Sequence, residues 1–192
     1  MGDAMTAIDD LVQAASGFSS VLGSTKTNQL SFKTPCSEWD VSELIQHVIA
    51  GTDRFTALVQ LEDETEQLRG WPNSDPRIAF DESFADFHTA ISAPGALDGR
   101  YTHRVGEVDG HRLVLMRMNE YLVHSWDLAQ ATGQPSPFAD SFAKVGLANA
   151  QLILSERPRA EGGTWSPPRN IPEGASAFDQ LAAFCGRMIP TM

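Results

Sequence analysis

The chain has 192 residues, 42% of them apolar and 20% charged, the make-up of a folded globular chain rather than a disordered one. Its net charge is −11 and its pI about 4.7. With no Lys/Arg cluster to offset that balance, it repels phosphate backbones and anionic membrane surfaces, so the expected partners include neither nucleic acid nor membrane.

Residues Ile8, Leu11, Val12, Ala15, Phe18 and Leu22 recur at helical spacing and predict a first helix, ended by Gly23 and Ser24. Asp40 followed by Glu43 is a capping box in its Asp form. It opens a second helix carrying Val41, Leu44, Ile45, Val48, Ile49, Phe55, Leu58 and Val59. A charged stretch from Glu62 to Glu66 and a loop cluster of Gly70, Pro72, Asn73, Ser74 and Pro76 follow. A third helix is predicted from Ile78 to Ile91. Asp109-Gly110 lies between two short strand-like runs, a type I′ hairpin signal, which predicts a hairpin from about Tyr101 to Leu113. Helices are then expected from Leu115 to Thr132, Phe138 to Ser155 and Ala175 to Met188, with an irregular proline-rich segment from Trp165 to Pro172. The sum is a mainly α chain, a helical bundle with one small β-hairpin. Its length fits a single domain over residues 1–192.

The N-terminus lacks a basic region followed by an apolar run, and no stretch approaches the roughly 18 apolar residues of a membrane span. Cys36 and Cys185 are far apart and form no CxxC pair, so neither a disulfide framework nor a cysteine zinc site is expected, and a reducing, cytoplasmic setting is the natural one.

The stretch NEYLVHSWDLA, Asn119 to Ala129, places Glu120, His124 and Asp127 at spacings of four and three, on one helical face. Met116 and Val123 flank that face and turn it inward. Buried polar groups need partners. Two inward ligands from one helix and one from a facing helix are how bundles build metal sites, and His47 on the second helix supplies the third donor. His47, Glu120 and His124 form a His₂Glu set, suited to catalytic zinc and equally to non-haem Fe(II). Asp127 could orient a ligand histidine or accept a core hydrogen bond. His88, His103 and His111 are expected to be solvated or structural. No nucleophile elbow and no phosphate-binding loop is present, and neither cysteine has an activating context. Trp39, Trp126 and Trp165 are expected in the core or in pocket walls.

Two segments carry a family resemblance. TPCSEWDVSELIQHVIAG resembles the helix entry of the mycothiol-dependent maleylpyruvate isomerase N-terminal domain family, part of the DinB-like superfamily, and EYLVHSWDLAQATGQ is similar to its second signature. The tail IPEGASAFDQLAAFCGR is similar to the end of an actinobacterial subgroup of single-domain members. The resemblance implies a DinB-like up-down-down-up four-helix bundle, with extra short helices here. It implies a divalent metal, usually zinc, held at the positions of His47, Glu120 and His124; the donor set and the affinity order of divalent metals leave iron and nickel as alternatives. It also implies mycothiol as co-substrate, deprotonated on the metal and added to a small electrophile, in S-transfer or isomerisation. Maleylpyruvate isomerases of the family carry a second domain that this chain is expected to lack, so their substrate is not carried over. Non-catalytic metal binding or sensing, and metal-assisted hydrolysis with Asp127 as base, stand as alternatives. Bundles of this kind also offer flat faces on which two copies could pair as a homodimer.

Overall fold

The computed structural model describes residues 2–36, 39–61, 75–154, 159–161 and 165–190. Among them are six α-helices and one two-stranded hairpin, the mainly α, DinB-like arrangement expected. Helix α1, Gly2–Gly23, packs along α4, Gly110–Thr132, while α2, Val41–Gln60, packs along α3, Pro76–Ile91, and also meets α4. Helices α5, Asp140–Leu154, and α6, Ala177–Phe184, pack on each other and against α4.

The local chemistry explains these boundaries. Asp40 accepts from the Glu43 backbone N–H, and Glu43 accepts from the Asp40 N–H, each at 2.9 Å, so the expected capping box opens α2. Asp75 caps α3, and Pro76 occupies the first helical position, where its missing N–H costs nothing. Pro76 therefore starts a helix rather than ending a loop. The rest of that loop cluster and the Glu62–Glu66 stretch lie outside the described residues.

The hairpin is displaced from its predicted turn. Strand β1, Arg100–His103, pairs antiparallel with β2, Gly106–Asp109, and the chain turns at Arg104 and Val105. Asp109 instead caps α4, accepting from the Arg112 N–H at 2.8 Å. Gly110 is the first residue of α4, packed so closely that an added Cβ would lie 2.2 Å from the Ala96 carbonyl oxygen. The Asp-Gly pair answers a helix start and a close backbone approach, two needs that it serves as well as a turn. The last helix is shorter than its periodic pattern, ending at Phe184 before Gly186, which has φ of 92°.

An aromatic cluster joins the four bundle helices. The Phe18 and Phe80 rings lie 4.8 Å apart edge to face, and Phe80 meets Tyr121 at 5.4 Å. The Tyr121 hydroxyl pairs with Thr52 of α2 at 2.9 Å, satisfying its polar end inside the core. This α2–α4 seam sets the spacing at which the polar residues one turn away face one another.

Candidate metal centre

Along that seam α2 presents His47, and α4 presents Glu120 and His124 one turn apart. Glu120 Oε2 lies 3.1 Å from His47 Nε2 and 3.3 Å from His124 Nε2. One candidate ligand atom from each residue lies within 4.8 Å of the others. Exposure grades across the group: the side chains of His124, Glu120 and His47 are 2%, 12% and 23% exposed. The three residues singled out by spacing thus converge beside a cavity of about 800 Å³, which His47 and Glu120 line together with Phe55, Met116, Arg117 and Trp165.

Asp127 lies behind His124. His124 Nδ1 donates to Asp127 Oδ2 at 3.0 Å, which orients the ring with Nε2 turned towards Glu120 and His47. Arg187, just past α6, donates from Nη2 to Asp127 Oδ2 at 2.8 Å and from Nε to Oδ1 at 3.1 Å. Asp127 is fully buried and held from both sides. Trp39, one residue before the α2 cap, stacks on His47 with centroids 4.1 Å apart and planes 29° apart. Trp165 stacks against His124 with centroids 6.5 Å apart. Trp126 is a core residue whose indole N–H donates to Asp179 at 2.8 Å.

These neighbours move the titrations. Burial alone would raise the Glu120 carboxyl, but His124 and His47 beside it outweigh burial and hold it well below its usual range. Burial likewise favours neutral His124, yet the Asp127 and Glu120 carboxylates raise its pKa. Burial dominates at His47 and lowers it. Cys185 is a buried free thiol pushed up to about 12 by burial, so its neutral form fits a packing role.

His124 Nε2 tests whether this set fits a cation. It is buried and, although 3.3 Å from Glu120 Oε2, the angle makes no hydrogen bond there, leaving it without a partner among the described residues. A buried imidazole nitrogen facing a carboxylate and a second imidazole without a hydrogen bond to either is a costly arrangement for the protein alone. It is the donor geometry that a divalent ion satisfies. The residues fit the group.

Reading the sequence missed three members of this neighbourhood. Arg117 could have been found, since it precedes Glu120 by three on the same inward face. Arg187 could not, because it is 60 residues from Asp127 and meets it only after α6 folds back. His103, expected to be solvated or structural, is half-buried in β1 and lines the same cavity.

The fold and the cluster define a class: a DinB-like helical bundle with a His₂Glu constellation between two of its helices. Within that class, the chain belongs to the mycothiol maleylpyruvate isomerase N-terminal domain family, whose model matches residues 11–129. Two relatives from Mycobacterium tuberculosis are the uncharacterised proteins Rv0738, of strain H37Rv, and MT0763, of strain CDC 1551. Each is 31% identical over 186 residues, covering 92% of this chain and 95% of the relative. No solved structure matches. Among the described residues no helix is long and apolar enough to cross a membrane.

Proposed function

We propose that the chain holds one divalent cation, zinc in the first instance, at His47, Glu120 and His124, and uses it with a small thiol of the mycothiol type to modify small electrophiles in the cytoplasm. The buried Nε2 of His124, which makes no hydrogen bond among the described residues and is turned by Asp127 towards Glu120 and His47, carries the reading. A cation bound there would act as a Lewis acid that lowers the pKa of a coordinated thiol.

The chain's own residues supply the rest. Asp127, braced by Arg187, keeps the His124 ring oriented. Trp39 restricts rotation of the His47 ring. The cavity beside His47 and Glu120 has room for a thiol and an electrophile together, and Phe55, Met116 and Trp165 shield part of it from water. Three protein donors would leave a tetrahedral ion one open position, and two of those donors, His47 and Glu120, line the cavity. That combination favours a reactive site over closed, purely structural binding. Hydrolysis with Asp127 as general base is disfavoured, because both Asp127 oxygens are engaged by Arg187 and one also by His124.

In S-transfer the thiol S–H loses its proton, an S–C bond forms and the electrophile's leaving group departs with its electron pair. In isomerisation the thiol adds across a double bond, the resulting single bond rotates, and the thiol leaves again unconsumed. Supplying mycothiol and the chloride-releasing electrophile monochlorobimane to the metal-replete protein tests the transfer route. The expected result is bimane conjugation above the uncatalysed rate that vanishes in Glu120→Gln. Conjugation no faster than without protein, with an unsaturated diacid also left unisomerised, would contradict the reading.

A further inference from the structure

The cavity beside the cluster reverses the charge of the molecule. Across the chain 25 Asp and Glu outnumber 14 Lys and Arg. Among the described residues lining the cavity, five arginines, Arg54, Arg104, Arg112, Arg117 and Arg159, face a single acid, Glu120. That acid is already engaged with His47 at 3.1 Å. Cationic side chains gathered in a cleft of an acidic protein focus a positive field on whatever enters.

Arg117 is the unusual member. It is 2% exposed, and its guanidinium carbon lies 5.0 Å from the ring centroids of both Phe55 and Tyr121. Rings hold the cation, but two of its buried donors stay unused. Buried Nε and Nη2 of Arg117 have no hydrogen-bond partner among the described residues. Arg187 shows how this protein satisfies the same pair of atoms: its Nε and Nη2 grip the Asp127 carboxylate at 3.1 and 2.8 Å. The nearby Glu120 carboxylate feels the Arg117 charge, yet among the described residues no carboxylate bonds Nε and Nη2, and a bidentate oxyanion is the group that fits a guanidinium fork. Gly51 makes room for it, since a Cβ there would lie 2.7 Å from Arg117 Nη1.

We infer that the cavity takes a small anion, a carboxylate- or phosphate-bearing molecule, whose acid group seats on Arg117. Arg117 precedes Glu120 by three residues, so an acid group held there leaves the remainder of the molecule beside His47 and Glu120. Exposed Arg54 and Arg104 attract the anion at the rim. The assignment deepens the function proposed above and rests on it for the fate of the ligand, but not for its binding.

Calorimetric titration of the full chain as purified, with succinate and separately with inorganic phosphate, tests this. Metal content is measured on every sample. Wild type is expected to bind one of the two, and the tighter probe decides between a carboxylate and a phosphate ligand. In Arg117→Met the affinity is expected to fall at least about tenfold, with metal content unchanged. Replacing an unpaired buried charge with an apolar side chain of similar length is compatible with folding. Should that variant fail to fold, Gly51→Ala, which crowds the guanidinium without altering charge, is expected to weaken the same binding. No binding of either probe to wild type overturns the inference, as does wild-type affinity in Arg117→Met or Gly51→Ala, which would place the anion on the metal or the rim. Binding that depends on Arg117 in protein holding no metal would uphold the anion site while refuting the metal-dependent function.

Discussion

Asp127 shows how one residue can serve stability and a site together. It is fully buried, shares His124 with the candidate metal centre, and neutralises Arg187. Asp127→Asn is expected to cost about 3–5 kcal/mol, because it strands the Arg187 charge in the interior. It should also weaken metal affinity by about 10–100-fold through the loosened His124 ring. Urea denaturation and a metal titration on the same variant measure both. Burial raises the Asp127 carboxyl, but Arg187 and His124 outweigh it and hold it below its ordinary value of 3.8. A depressed folded pKa gives stability that is present above the unfolded value and lost as pH falls through the folded one. Acid unfolding should therefore steepen below about pH 4 in wild type, and Asp127→Asn should lack that contribution. At this scale the sequence was informative about the candidate ligands and offered Asp127 as a support, but was silent about Arg187. Glu120 and His124 are visible as an inward i, i+4 pair, whereas the Arg187 contact depends on a chain reversal that no local pattern encodes.

Among the elements, the amphipathic helices were legible because burial of one face dictates their period, and the α2 capping box appears where Asp40 and Glu43 predict it. The hairpin turn was misplaced for a physical reason: Asp-Gly satisfies a tight turn and a helix N-terminus with the same small, polar chemistry. The strand register, the Asp109 cap and the packing of Gly110 against the Ala96 carbonyl distinguish the two, and none of them is local to the pair. Asp109→Ala is expected to cost about 1 kcal/mol through the lost cap. Gly110→Ala should cost about 1–3 kcal/mol through overpacking against backbone. If Asp109-Gly110 were the hairpin turn, Gly110→Asn would be tolerated. With Gly110 packed as described it should destabilise at least as much as alanine, and thermal denaturation of the three variants separates these outcomes.

The whole molecule is an acidic helical bundle that sets five of its 14 Lys and Arg in one cavity beside two imidazoles and a carboxylate. A cation that binds only the folded state adds about 4 kcal/mol at a thousandfold excess over its dissociation constant. For a chain of this size that corresponds to a melting temperature higher by roughly 10 °C. Chelation should lower the melting temperature by that order, and re-addition of zinc should restore it. The central claim is that His47, Glu120 and His124 hold a divalent ion, and elemental mass spectrometry of the purified chain tests it most directly. One equivalent of zinc or another divalent metal in wild type, lost in both Glu120→Gln and His124→Ala, is the predicted result. Wild-type protein that stays metal-free after reloading, or variants that keep the full equivalent, would contradict it.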